Sequence, residues 1–262
     1  MKKILITGGC GYVGTVLTNE LLLEGHQITV VDTQWFGNYL TKNKNLKVIK
    51  SDVRDIDNFS FEDIDIVIHL ANIANDPGVE LNPELSWEVN VLASQLLIEK
   101  AIKANVEQFI YASSGSVYGI KDELEVTEDL PLVPISVYNK TKMISERVLL
   151  SYKNNINIHC IRPATVCGWS PRMRLDVSVN MLTFQALKNG IITVFGGTQT
   201  RPNIHINDMV NVYKHFIKNS KIESCSYNAG FENISIIEIA KRVKNFIPAD
   251  IIISESNDNR SY

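Results

Sequence analysis

The stretch Ile4-Leu5-Ile6-Thr7-Gly8-Gly9-Cys10-Gly11-Tyr12-Val13-Gly14 decides the fold of this chain. Its apolar run predicts a buried strand, and its glycines let the backbone turn sharply and approach a pyrophosphate at the start of the next helix. Gly25 and His26 end that helix, and residues 27–32 predict a second strand, which completes a βαβ unit. This order of elements indicates a dinucleotide-binding site rather than a turn of purely structural use.

Asp32 ends the second predicted strand. A carboxylate at this position accepts hydrogen bonds from the adenosine ribose and repels a 2′-phosphate. We therefore expect NAD rather than NADP as the cofactor.

Composition limits the partners of the chain. It has 262 residues, of which 45% are apolar and 21% charged, as expected for a folded protein of one or two domains. A net charge of −3 gives no global reason to bind nucleic acid or an anionic membrane. The start of the chain predicts neither a signal peptide nor a membrane span, and the four cysteines lack metal-ligand spacing. We expect a cytoplasmic protein without a metal site.

Apolar runs alternate with amphipathic segments along the chain, which predicts a Rossmann-type, doubly wound α/β fold with a mostly parallel sheet. Further strands are predicted at 46–51, 64–70, 108–113 and 156–161, and helices at 84–104, 137–152, 178–189, 207–219 and 235–246. Breaks after Gly168 suggest two parts, a dinucleotide-binding domain (1–168) and a smaller substrate-binding region (169–262). A helix and strand near 207–230 are expected to return to the first part.

Tyr138 and Lys142 lie four residues apart, so on a helix both project from one face. A nearby ammonium favours the phenolate, and lowering a tyrosine pKa from ~10 to about 7 requires roughly 4 kcal/mol. Because this spacing also arises by chance, the pair needs a third group. Ser113 and Ser114 supply hydroxyls at the carboxyl end of a predicted strand, the edge where such folds bind ligands.

Taken together, these motifs resemble the extended short-chain dehydrogenase/reductases and, more narrowly, the NAD-dependent nucleotide-sugar epimerase/dehydratase family. The resemblance covers nearly the whole chain and rests on Thr7-Gly8-X-X-Gly11-X-X-Gly14, Asp32, Asp52-Val53, His69-Leu70-Ala71, Ser113-Ser114, Val117-Tyr118-Gly119 and Tyr138-X-X-X-Lys142.

The resemblance implies a role for each matching residue. Tyr138 is the expected base, Lys142 its activator, and Ser114 the group that hydrogen-bonds the reacting hydroxyl. The expected NAD ligands are Gly8, Gly11, Tyr12, Val13, Gly14, Asp32, Asp52, Val53, Leu70, Ala71, Asn90, Tyr138 and Lys142. The expected substrate ligands are Ser114, Ser116, Thr165, Asn180, Arg201 and Arg260, although many relatives have asparagine in place of Thr165.

Other reactive side chains have simpler interpretations. We expect His69 to serve packing and Cys10 to make a loop contact rather than to react. Arg172 and Arg174 either bind a substrate phosphate or are solvated.

The two residues after Ser114 favour one reaction of this family. Dehydratases of the family usually have an Asp-Glu pair there, and decarboxylating relatives commonly keep a glutamate at the second position, whereas this chain has Gly115 and Ser116. By elimination the chain resembles an epimerase that oxidises C4 of a nucleotide-diphosphate sugar and then returns the hydride. The alternatives are a nucleotide-sugar dehydrogenase or 4-keto reductase, a 4,6-dehydratase, and a catalytically silent NAD(H)-binding regulator. The resemblance also implies a homodimer and a role in carbohydrate metabolism such as cell-surface polysaccharide synthesis.

Overall fold

Seven parallel strands form the central sheet of the computed structural model, which describes residues 1–74, 76–121, 123 and 125–255. The described strands are β1 (Lys3–Thr7), β2 (Gln27–Asp32), β3 (Leu46–Lys50), β4 (Ile66–His69), β5 (Gln108–Ala112), β6 (Asn157–Pro163), β7 (Thr165–Cys167), β8 (Ile191–Phe195), β9 (Thr200–His205), β10 (Cys225–Ala229), β11 (Glu232–Ser235) and β12 (Asp250–Ser254). The central sheet has the order β10-β6-β5-β4-β1-β2-β3, and its neighbouring strands are parallel. This is a doubly wound sheet, which confirms the predicted fold class.

The described α-helices are α1 (Tyr12–Leu23), α2 (Asp76–Leu81), α3 (Pro83–Trp87), α4 (Ala93–Lys103), α5 (Val137–Leu150), α6 (Ser178–Asn189), α7 (Ile206–Lys218) and α8 (Ile236–Phe246). Most lie within two residues of the predicted bounds, which is the usual uncertainty of a helix end. No helix in the described part of the chain is long and apolar enough to cross a membrane.

The single helix predicted over 84–104 is interrupted. A π-helical turn, Glu88–Leu92, lies between α3 and α4. The backbone oxygen of Asn90 in this turn accepts hydrogen bonds from the hydroxyls of Ser94 and Ser145, both at 2.6 Å. Because the stabilising hydroxyls come partly from another helix, apolar periodicity does not reveal the turn.

The core lies on both faces of the central sheet. In β1, Leu5 packs on one face with Val67 and Phe109, whereas Ile4 and Ile6 pack on the other face with α1 and α7. Alternate residues of a strand point to opposite faces, so a continuous apolar run suits a strand covered by helices on both sides.

The region after β6 contains short strands that the sequence analysis missed. β7, β9 and β11 form a three-stranded sheet, and β8 pairs with β12. Helices α6 and α8 pack against the second of these sheets around Leu182, Ile192 and Ala240. Between β9 and β11 in the chain, β10 lies in the central sheet, where it pairs with β6.

Candidate active site

The loop between β1 and α1 has room for phosphate groups but not for side chains. Gly8 has a φ of +76°, and a Cβ there would lie 2.6 Å from the backbone nitrogen of Ala71. A Cβ on Gly14 would lie 2.3 Å from the oxygen of Gly8. Helix α1 starts after Gly11 without a side-chain cap and with no acidic residue in its first turn. Its free N-terminal amides and positive dipole end therefore suit an anion such as a pyrophosphate.

Asp32 stands beside this loop. Its carboxylate accepts hydrogen bonds from the backbone nitrogens of Cys10 at 3.0 Å and Gln34 at 2.7 Å. Burial, assisted by Asp32, raises the pKa of the Cys10 thiol to about 12, so this cysteine is unreactive at neutral pH. The carboxylate is thus fixed where the expected ribose would lie.

Two expected adenine contacts lie after β3. Val53 is buried, while the carboxylate of Asp52 accepts hydrogen bonds from the backbone nitrogen of Arg54 at 2.9 Å and from its guanidinium at 3.0 Å. Arg54 therefore orients Asp52, and the adenine contact itself stays a prediction.

Helix α5 brings Tyr138 and Lys142 together. The Lys142 ammonium lies 5.8 Å from the centroid of the Tyr138 ring and 4.9 Å from that of Tyr111. It donates a hydrogen bond of 2.6 Å to the backbone oxygen of Ala112, at the end of β5. Burial lowers the pKa of Lys142 to about 7, with partial opposition from Glu146. Burial thus makes the charged form of Lys142 unfavourable, and the charged amine in turn favours the phenolate form of Tyr138.

Three polar side chains form a chain of hydrogen bonds after β5. The Oγ atoms of Ser114 and Ser116 are 2.7 Å apart, and Ser116 donates to Oδ1 of Asn139 at 2.6 Å. Because the Ser116 proton goes to Asn139, the Ser114 hydroxyl donates to Ser116 and also accepts from its backbone nitrogen at 3.2 Å. Because its O–H can rotate, the Ser114 hydroxyl is also able to turn toward a substrate oxygen.

A buried ion pair that the sequence analysis missed lies next to these groups. Arg162 on β6 donates to the Glu146 carboxylate at 2.7 Å and to the Tyr118 hydroxyl at 2.6 Å. Ser113 also donates to Glu146. Glu146 stands one helical turn after Lys142, and this spacing was the available signal. The pair connects α5 to the ends of β5 and β6, where Ser114 is held.

His69 and Asn90 are buried polar residues that stabilise the segments around the site. The buried His69 ring is 2.6 Å from the Thr7 hydroxyl and 2.8 Å from that of Ser94. Burial, followed by the Lys142 charge, lowers its pKa to about 3, so the ring is neutral and serves packing. The Asn90 amide accepts from the nitrogen of Ile73 at 2.8 Å and donates to its oxygen at 3.2 Å. These bonds fix the segment after β4, which begins with the expected NAD contacts Leu70 and Ala71.

The expected substrate ligands fall in two places. Thr165 on β7 pairs with Asn203 on β9, so Thr165 and Arg201, two residues before Asn203, share one face of the small sheet. The buried amide of Asn180 instead bonds the nitrogen of Gly168 at 2.9 Å and the hydroxyl of Tyr12 at 3.1 Å. Asn180 therefore joins α6 to α1. Arg260 lies outside the described residues.

Within the described residues, no group of three His, Cys, Asp or Glu side chains is arranged to hold a metal ion. The groups that the described residues bring together are a phenol, an ammonium and hydroxyls beside the glycine loop.

Comparison with known proteins agrees with this geometry. A model of the NAD dependent epimerase/dehydratase family matches residues 4–230. The chain is 29% identical to the UDP-glucose 4-epimerase of Lactobacillus helveticus, over 92% of this chain and 81% of that protein. It is 28% identical to UDP-glucuronic acid decarboxylase 1 of Danio rerio over 94% of this chain, which spans 61% of that longer protein. Among solved structures, MoeE5 in complex with UDP-glucuronic acid and NAD gives a TM-score of 0.86 at 27% identity, covering 99% of this chain and 88% of that chain.

Proposed function

The chain belongs to the NAD dependent epimerase/dehydratase family and is an enzyme with NAD as its cofactor, and from this premise we propose that it is a nucleotide-sugar epimerase acting through transient oxidation at C4. The observation that carries the proposal is the Ser114-Gly115-Ser116 segment, which presents hydroxyls bonded to Asn139, the residue after Tyr138, but no carboxylate. We assign NAD to residues 1–168 and the sugar nucleotide chiefly to 169–262.

The described residues fit the cofactor. The open loop at Gly8 and Gly14 and the uncapped start of α1 suit the pyrophosphate, and Asp32 suits the ribose hydroxyls. Bound there, NAD supplies an acceptor for the C4 hydride and a donor for its return.

The chain's own residues then handle the proton. Tyr138, as phenolate, removes the proton from the C4 hydroxyl, and it gives the proton back when the sugar is reduced on the opposite face. The Lys142 ammonium stabilises the phenolate. Because the single proton of the C4 hydroxyl goes to Tyr138, the Ser114 hydroxyl turns from Ser116 and donates its own proton to the C4 oxygen. Ser116, which donates to Asn139, helps to position the Ser114 side chain.

The surroundings of Ser114 disfavour elimination reactions. A Cβ on Gly115 would lie 3.2 Å from the backbone oxygen of Pro163, so an aspartate there would require a shift of the backbone. Glu146 is buried and bonded to Arg162. The two positions after Ser114 hold no carboxylate, so removal of a second proton and loss of water lack the acid and base that dehydratases of the family usually have there.

The substrate proposed is a nucleotide-diphosphate hexose. Thr165 and Arg201 share a face of the small sheet, where a guanidinium suits a diphosphate. Asn180 orients the loop beside α1. The relatives reported above are named for UDP sugars, which makes UDP-glucose the first substrate to test.

Proton NMR of the products tests the reaction. We expect UDP-hexose incubated with enzyme to yield its C4 epimer, seen as a changed coupling at H4, without net NADH absorbance at 340 nm. Tyr138→Phe should abolish turnover and leave NAD binding within about threefold of wild type, because only the phenol hydroxyl is removed. Net NADH would indicate a dehydrogenase, and a 6-deoxy-4-keto product a dehydratase. Tight NAD binding without turnover of any sugar nucleotide would indicate a regulatory protein.

We further propose that the protein is a homodimer. Trp87, Leu92 and Leu96 are 38%, 55% and 45% exposed along the segment from α3 to α4, which packs beside α5. Burying such side chains against a second copy would remove apolar area from water, as helix-bundle dimers do. Light scattering at micromolar concentration should give twice the monomer mass, and Leu92→Glu combined with Leu96→Glu should give the monomer. A monomeric wild-type protein would contradict this proposal.

A further inference from the structure

The loop between β7 and α6, residues 168–177, is anchored on the first residue of α1. Gly168 accepts a hydrogen bond from the hydroxyl of Tyr12 at 2.7 Å. Ser170 donates to the backbone oxygen of Tyr12 at 2.8 Å. A segment of the substrate-binding region thus lies against the helix start that suits the pyrophosphate of NAD.

Arg172 extends from this loop to a second loop, which follows Asp32. Its guanidinium carbon lies 3.9 Å from the centroid of the Phe36 ring, a stacking distance. Burial and the neighbouring Arg174 lower the pKa of Arg172, while Asp176 and Asp32 oppose this effect. Arg172 therefore lies within the electrostatic reach of the carboxylate expected to bind the ribose.

A cavity of about 550 Å³ is bounded by Phe36, Tyr39 and residues 171–176. Phe36 is 63% exposed, so the ring that supports the guanidinium is itself open to solvent. Arg172 and the Phe36 ring thus lie at the edge of the cofactor cradle, by which we mean the glycine loop (7–14), the start of α1 and Asp32.

The cofactor cradle lacks a positively charged side chain of its own. Residues 7–14 contain no lysine or arginine, and Asp32 is negative. A pyrophosphate brings two further negative charges, which the helix dipole neutralises only in part. A cation at this rim would improve the balance of charge.

We propose that Arg172 is a cofactor-binding residue that donates hydrogen bonds to the pyrophosphate of NAD from the adenosine side, with Phe36 holding its guanidinium flat. Stacking on one face leaves the N–H groups at the edge free to bind phosphate oxygens. The inference rests on NAD as cofactor and not on the proposed epimerase reaction.

Calorimetric titration of cofactor-free enzyme with NAD and with ADP-ribose tests this role. We expect Arg172→Ala to weaken both ligands by about ten- to a hundredfold, as is usual for a lost hydrogen bond to a charged group. Phe36→Ala should weaken both by about three- to tenfold, and the double variant should be little weaker than Arg172→Ala because the two residues act as a unit. Arg172→Lys keeps the charge without the planar stack, so its affinity for both ligands should lie between those of wild type and Arg172→Ala.

Arg242→Ala is the matched control, because this exposed arginine on α8 pairs with Glu232 at 2.7 Å. It should leave NAD affinity unchanged, and circular dichroism should show all variants folded. Affinity for NAD in Arg172→Ala within twofold of wild type would overturn the inference. So would an unchanged NAD affinity with weakened UDP binding, which would assign Arg172 to the substrate. The titration measures cofactor affinity and needs no turnover of a sugar. Its result therefore remains interpretable even if the epimerase proposal fails.

Discussion

Replacing Lys142 by methionine should stabilise the cofactor-free protein while abolishing its activity. The ammonium is buried, and its pKa falls from 10.5 to about 7. Each pKa unit corresponds to about 1.4 kcal/mol, so charging Lys142 in its folded site costs about 5 kcal/mol more than in water. Methionine has a similar length and carries no charge, which removes this cost.

Part of this gain in the free energy of unfolding is lost again, because the substitution also removes a hydrogen bond. The hydrogen bond from Lys142 to the oxygen of Ala112 disappears, and an unsatisfied buried carbonyl costs about 1–3 kcal/mol. We therefore expect a net gain of about 2–4 kcal/mol in the free energy of unfolding at pH 6, or about 4–8 °C in Tm. Lys140→Met, an exposed change on the same helix, should stay within about 0.5 kcal/mol of wild type.

The pH dependence of the stability difference between wild type and Lys142→Met tests this reasoning more specifically than a measurement at one pH. Between pH 7 and 10.5 the unfolded chain binds a proton at Lys142 that the folded protein does not, so wild-type stability rises with pH. The variant lacks this rise, and its advantage should shrink to near zero by about pH 9. Urea unfolding of cofactor-free wild type, Lys142→Met and Lys140→Met at pH 6, 7, 8 and 9 measures it. A variant less stable than wild type at pH 6, or an advantage independent of pH, would refute the reasoning.

Three further outcomes are expected. Isothermal titration should show at least tenfold tighter binding of NAD than of NADP, because Asp32 repels a 2′-phosphate; equal dissociation constants would remove that role. Gly14→Ala should abolish measurable NAD binding, since its Cβ would lie 2.3 Å from the oxygen of Gly8, and an unchanged affinity would show that the loop yields easily. Glu146→Ala should lower the free energy of unfolding by about 3–5 kcal/mol, because it leaves Arg162 charged and unpaired in the core; a loss below about 1 kcal/mol in urea unfolding would contradict this.

Local sequence signals were enough to predict the architecture, which the structure confirms, and to propose the central chemical groups. Local signals suffice for these, because an apolar run, a glycine turn and an amphipathic helix each follow from neighbouring residues, as at 4–32. The spacing of Tyr138 and Lys142 likewise places both on one helix face without knowledge of the rest of the chain.

Only the tertiary structure decided what surrounds those groups. The pairing of Glu146 with Arg162, the contact of Asn180 with Tyr12 and the stacking of Arg172 on Phe36 join segments that are distant in sequence, which periodicity does not encode. The short strands β7 and β9 were missed because three and six residues of mixed polarity give too weak an alternation. The pKa of Lys142 depends on burial, and burial exists only once distant elements have packed together.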